Sequence, residues 1–252
     1  MTDLILFLTG IVIGSMNAVA GGGMLIGFPV MVALGIPPLV ANATGNIITA
    51  PGQLASAWGY RAYLRRIPRR FIILIPPLII GSAAGAIVLR QTGAGDFAKL
   101  VPWLVLFGVL LFAVQPFIHF HLHQHIKGKR QTIPPLLLIA VAMLPLSFYG
   151  GYFGAGFGFI MLAFLGFTKL SDTHIMNAIK NIGATFVSVT ALVCLYSTGL
   201  VDWRVGAIMA AGSIIGGYAG ARASQRLSSH WLRIVVIIIG LGAVVYLALQ
   251  RY

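Results

Sequence analysis

Asn42-Ala43-Thr44-Gly45-Asn46-Ile47 returns as Asn177-Ala178-Ile179-Lys180-Asn181-Ile182, each copy following a cluster of glycines and an apolar run. The offset is 177 − 42 = 135 residues in a chain of 252, about half its length. Downstream, Gly81-Ser82-Ala83-Ala84-Gly85 is echoed by Gly212-Ser213-Ile214-Ile215-Gly216. Self-similarity at that distance predicts a chain made of two related halves.

Hydrophobic residues make up 59% of the chain and charged residues 8%, and the mean hydropathy is +0.96. A single soluble core needs far less apolar sequence, so composition predicts a protein solvated by lipid. Apolar segments fall near 4–34, 47–60, 71–89, 100–118, 133–167, 175–196, 203–221 and 231–249, against the roughly 20 residues a spanning helix takes. The first and fifth are too long for one span and contain glycines: Gly21-Gly22-Gly23 in one, Gly150-Gly151, Gly154, Gly156 and Gly158 in the other. Each is expected to break or double back there, because adjacent glycines cost a helix roughly 1 kcal/mol apiece relative to alanine. Met1-Thr2-Asp3 offers no basic stretch of the signal-peptide kind, so the first segment is expected to be retained. The single cysteine, Cys194, lies in an apolar span and reads as a packing residue.

Seventeen Lys and Arg stand against four Asp and no Glu. The bases crowd between spans, which reads as membrane orientation and attraction to anionic headgroups, not as nucleic-acid binding. Arg61, Arg65, Arg66, Arg69 and Arg70 place one connection in the cytoplasm. The next, from Arg90 to Lys99, goes outside, and that with Lys127, Lys129 and Arg130 goes inside. For Arg222, Arg226 and Arg233 to be inside as well, the segment 133–167 must turn back on itself. The counterpart of the Arg61–Arg70 connection, around Asp202 and Arg204, is then outside, so the halves are inverted. The predicted fold is an all-α polytopic membrane protein of two inverted-topology repeats. Each holds a glycine-broken hairpin or re-entrant segment plus three transmembrane helices: 1–119, a basic cytoplasmic loop 120–132, and 133–252.

Inverted repeats with broken helices are the architecture of secondary transporters, which bind substrate between the halves near the bilayer midplane. Irregular backbone at that depth is tolerated where it is buried or lines a wet cavity. The second half of a broken helix begins with free N–H groups at the positive end of its dipole, an anion site. Gly21, Gly22, Gly23, Gly154 and Gly156 are therefore candidates to line it, whereas Gly212, Gly216 and Gly220 at every fourth position read as helix packing. Asn42, Thr44, Asn46, Asn177 and Asn181 offer neutral hydrogen bonds, each Asn pair on one helix face; interhelical glue is the plainer account of any single one. Lys180 stands inside an apolar span where an ammonium needs a partner or water. Its repeat counterpart is Gly45, and the reading is one charge for one anion, with snorkelling to the interface as the alternative.

Asp3, Asp96, Asp172 and Asp202 all fall at segment ends, which argues against a carboxylate proton relay or cation path. His119, His121, His123 and His125 have helical metal-ligand spacing, but with no cysteine or carboxylate beside them they read as an interfacial loop, and no metal is expected. Gly154-Ala155-Gly156-Phe157-Gly158 lacks the Gly-Lys-Ser/Thr of a phosphate loop, so no nucleotide or other cofactor is expected. With no nucleophile or metal cluster at membrane depth, an enzyme is not expected.

Asn17-Ala18-Val19-Ala20-Gly21-Gly22-Gly23, then Pro29, Leu34-Gly35-Ile36-Pro37-Pro38 and Ala41-Asn42-Ala43-Thr44, with a weaker second copy at mid-chain, resembles the TauE/SafE sulfite exporter family, also called the toluene-sulfonate uptake permease family. The second copy carries Gly154-Ala155-Gly156 and no proline in the next ten residues. The resemblance covers essentially the whole chain. It implies a multi-pass bacterial inner-membrane permease for sulfite, sulfonates or other sulfur-containing organic anions. It also implies that the motif beginning at Asn17 and the Ala-x-Ala-Thr segment carry the site. The expected partners are a small anionic substrate and membrane lipids, with no nucleic acid and with a homo-oligomer left open. Alternating access is the expected mechanism, and an anion-selective channel built from the same repeats is the alternative.

Overall fold

A computed structural model describes residues 1–126, 136–168, 170, 172–225 and 241–242, the side chains of 111–126 excepted. Every regular element among them is helical. They are α1 (Thr2–Val19), α2 (Met24–Ala33), α3 (Pro38–Gly59), the single turn α4 (Arg61–Leu64), a 3-10 segment (Arg69–Leu74), α5 (Ile75–Gln91), α6 (Ala94–Ile126), α7 (Leu136–Tyr152), α8 (Phe157–Gly166), α9 (Thr173–Leu195), a 3-10 turn (Tyr196–Thr198) and α10 (Trp203–Ala223). Among the described residues three helical stretches are long and apolar enough to cross a membrane: Thr2–Val19, Arg69–Gln91 and Thr173–Thr198. The distribution of polarity is that of a lipid-solvated protein. Leu4, Trp58, Ile72, Trp103, Leu137 and Val193 are exposed, while Asn17, Asn42, Asn177, Lys180 and Asn181 are buried.

The two overlong apolar segments are each two helices, α1–α2 and α7–α8. All four aspartates stand at helix starts: Asp3 and Asp96 in first turns, Asp172 and Asp202 as caps accepting backbone N–H groups, where the positive dipole end favours them. The predicted segment 47–60 is only the second part of α3, and α6 continues as helix to Ile126 through the 119/120 boundary. His119, His121, His123 and His125 thus fall on its last turns, their side chains outside the described residues. Lys127, Lys129, Arg130, Arg226, Arg233 and nearly all of 231–249 lie outside the described residues.

Helix directions follow from end contacts. At one end Arg204 pairs with Asp3 at 3.0 Å, and the Asp202 N–H donates to the Thr44 hydroxyl at 2.9 Å. At the other, the Tyr60 hydroxyl meets Ser224, the Tyr63 ring lies 4.9 Å from that of His174, and Arg61 and Arg222 both act on the Tyr218 hydroxyl. Helices α1, α3 and α10 therefore run toward this arginine end, whereas α5, α7 and α9 run away from it. Arg222 shares an end with Arg61, the placement that the turned-back reading of 133–167 requires.

Packing is set by small residues. A Cβ at Gly212 or Gly216 would run into the α1 backbone at Phe7 or Ile11, and one at Gly10 or Gly14 into α10 at Met209 or Ser213. The echo motif does the same elsewhere: a Cβ at Gly81 or Gly85 would meet α7 at Leu144 or Phe148. So α1 and α3 flank α10, α7 and α9 flank α5, and the two groups meet where α3 packs on α9.

Candidate functional site

Helix α1 stops because Gly21 adopts φ +99°, which turns its N–H onto the Met16 carbonyl at 3.0 Å beside the bond from Ala20 at 2.8 Å. Helix α7 stops in the same way: Gly154, at φ +74°, donates to the Tyr149 carbonyl at 3.0 Å beside Phe153 at 2.9 Å. Both are glycine C-caps, a conformation that an L side chain strains. The chain then re-enters helix at Met24 and at Phe157. The two breaks touch at Gly21 and Gly158, each so close to the other's Cα that neither position has room for a Cβ.

The last carbonyls of each half-helix are capped by the long helix from the other half of the chain. Asn42 on α3 donates its amide to the Tyr152 carbonyl at 2.8 Å. Lys180 on α9 donates its ammonium to the Asn17 carbonyl at 2.6 Å, the Ala18 carbonyl at 3.4 Å and Asn177 Oδ1 at 3.1 Å. Asn17 and Tyr152 are themselves separated by 152 − 17 = 135 residues, the offset of the repeated motif. A cation suits the negative dipole end of α1, and its proton donors suit carbonyls that have no helical partner.

Asn17 links both sides of the first break. Its Oδ1 accepts the Gly23 N–H at 2.9 Å, capping α2, and its buried Nδ2 has no partner among the described residues. Asn17 lines a cavity between the breaks and α3 and α9. The cavity wall takes in Gly21, Met24, Asn42, Gly45, Asn46, Thr49, Gln53, Gly150, Phe153, Gly154, Phe157, Gly158, Val187 and Ser188. The first residues of α2 and α8 are thus at the wall, so both positive dipole ends are directed at it. Among the described residues no charged side chain lines it. The Thr49 and Ser188 hydroxyls are 3.1 Å apart, and Ser188 donates to Gln53 Oε1 at 3.5 Å. The free volume is about 30 Å³, roughly the room of one or two waters.

Of the residues singled out in the sequence, the cavity brings together Asn17, Gly21, Asn42, Asn46 and Gly154. Gly22, Gly23, Thr44, Gly156, Asn177, Lys180 and Asn181 lie outside its wall. Gly23 and Gly156 are the N-caps of α2 and α8, and a Cβ on Gly22 would meet the Phe159 ring. Thr44 holds the start of α10 through Asp202, and Asn177 and Lys180 serve the end of α1. Asn181 is fully buried, with neither amide atom paired among the described residues. Sequence reading missed Gln53 and Ser188, although 188 − 53 is also 135 and each lies seven residues beyond its asparagine, on the same helix face. Phe153 and Phe157 carry no such signal.

The family model described as "Sulfite exporter TauE/SafE" matches residues 6–247. A "Probable membrane transporter protein" of Haemophilus influenzae is 32% identical, across 93% of this chain and 89% of that protein. "Probable membrane transporter protein ORF9" of a Sinorhizobium species is 27% identical, across 96% and 90%. "Probable membrane transporter protein YfcA" of Escherichia coli K12 is 27% identical, across 93% and 85%. No solved structure gives a significant match.

Proposed function

The chain belongs to the TauE/SafE sulfite exporter family of membrane transporters, and from that premise we propose that it carries small sulfur-containing anions, sulfite or organosulfonates, across a bacterial inner membrane by alternating access between two inverted repeats. The observation that carries the substrate class is the buried, unpartnered amide of Asn17, a residue in the wall of a cavity that two helix N-termini border and that no carboxylate lines among the described residues. Oxyanions present acceptor oxygens only, and a wall of amide, hydroxyl and N-terminal donors matches them. Asn17, Asn42, Asn46, Gln53 and Ser188 contact the anion in this reading. Lys180 positions the break by holding the α1 carbonyls from behind the wall.

Three features support the inverted-repeat part of the reading. Helices α1 and α7 end in the same glycine cap, and each end is capped by the other half's long helix. The pairing of α1 with α10 has its exchanged counterpart in that of α7 with α5. The directions of α1 and α3 oppose those of α7 and α9. The cavity's small volume supports motion, since an organosulfonate enters only if the walls separate.

The test is flux into proteoliposomes containing the purified chain, with labelled sulfite and sulfoacetate inside or outside. Saturable uptake with trans-stimulated exchange is expected. Absence of flux for every sulfur oxyanion removes the substrate class, and single-channel currents in place of exchange remove alternating access.

A further inference from the structure

A second cavity, of about 160 Å³, lies away from the first between the Arg69–Leu74 segment, α5, α8 and α9. Its wall is hydrocarbon, including Phe71, Ile75, Leu78, Met161, Ile179 and Ile182. Ile72, at its mouth, is 63% exposed. An apolar space on the order of 150 Å³ stays dry and takes hydrocarbon ligands. Among the described residues it opens on the outer surface of a lipid-solvated protein.

Its mouth carries charge. Arg69 and Arg70 are exposed at the start of the 3-10 segment whose Phe71 and Leu74 line the groove. The Arg70 guanidinium lies over the Phe71 ring, 5.6 Å from its centroid, which fixes it at the rim. Arg65 and Arg66 are exposed just before. No acid interrupts the run from 61 to 70. Apolar depth and a cationic rim together are complementary to one kind of molecule: a hydrocarbon tail joined to a phosphate headgroup of net negative charge.

We infer that the groove is a binding site for an anionic phospholipid, with an acyl chain between the 3-10 segment and α9 and the phosphate on Arg69 and Arg70. Guanidinium groups pair phosphate oxygens bidentately, and with no acid between 61 and 70 to receive a choline ammonium the site prefers headgroups of net negative charge beyond general hydrophobic contact. Ile179 and Ile182 flank Lys180 and Asn181 along α9, so the lipid packs against the back of the helix that caps the α1 break.

The test uses the full chain in nanodiscs with a phosphatidylglycerol carrying a photoreactive acyl chain. Labelling is expected in peptides covering 67–78 and 179–183. Unlabelled phosphatidylglycerol should compete with it, while phosphatidylcholine and inorganic phosphate should not. Arg69→Gln with Arg70→Gln should lower the preference at least roughly tenfold. Equal competition by phosphatidylcholine in the unsubstituted protein overturns the proposal without relying on a variant that folds. A photoreactive residue replacing Ile182 that captures residues 231–249 of the same chain also overturns it, because the groove is then covered from within. Neither result bears on whether the chain carries sulfur anions.

Discussion

At Asn17, one side chain does two jobs that a single substitution separates. Asn17→Asp keeps an oxygen for the Gly23 N–H and places it at the positive end of α2, so stability should be kept or raised. It also replaces the unpartnered amide donor with a carboxylate oxygen on a residue that lines the cavity. Two like charges about 4 Å apart repel by about 4 kcal/mol at an effective dielectric of 20, so anion flux should fall by at least about a hundredfold with the melting temperature in detergent unchanged. Retained flux would remove Asn17 from the contact set. Lys180→Met makes the opposite separation. It leaves the buried Asn17 and Ala18 carbonyls without a donor, a loss of roughly 1.5–3 kcal/mol for hydrogen bonds to a charged group. The variant should melt earlier and carry less, with half-saturation and the rank order of accepted anions unchanged. A raised half-saturation at normal stability would put the ammonium on the substrate itself. Sequence could mark Lys180 as an ammonium in an apolar span. It could not supply the partner, because that partner is a backbone carbonyl 163 residues away, exposed only because α1 stops there.

The interface of α1 with α10 tests what the glycines do at the level of helices. Gly216→Ala puts a methyl into the Ile11 carbonyl of the facing backbone, which has no rotamer to give. The helices must then part, and overpacking of this kind costs about 1–3 kcal/mol. Gly166→Ala, at the end of α8 with open space around it, should be neutral or stabilising by up to about 1 kcal/mol. Thermal unfolding of the two variants in the same detergent checks the pair, and equal effects would mean that close approach is not what holds α10. The small-residue spacing that marks this interface was legible in the sequence, as were both breaks, since clustered glycines are poor helix formers wherever they sit. The start of α3 was not. Asn42, Thr44 and Asn46 lower the local hydropathy, so polar residues, the first and last of which face the cavity, hide the helix carrying them. The polar stripe Asn42, Asn46, Thr49 and Gln53 becomes visible only when about three turns are read as one face.

For the whole molecule the decisive contact is α3 against α9, where the two groups of helices meet. Alternating access requires that contact to change as the cavity opens first to one side and then to the other. Thr49 and Ser188 bring their hydroxyls to 3.1 Å across it, close enough for cysteines there to approach disulfide geometry. The only other thiol is Cys194, which Cys194→Ala removes. In that background Thr49→Cys with Ser188→Cys should transport when reduced, stop when oxidised, and recover on adding reductant. Gel mobility after thiol labelling gives the cross-linked fraction against which flux is plotted. Flux falling in proportion to that fraction is what a mechanism of separating walls demands. Flux that survives complete cross-linking would mean that the anion passes without α3 leaving α9, as in a fixed pore, and the repeats would then be the lining of a channel and not the moving parts of a carrier.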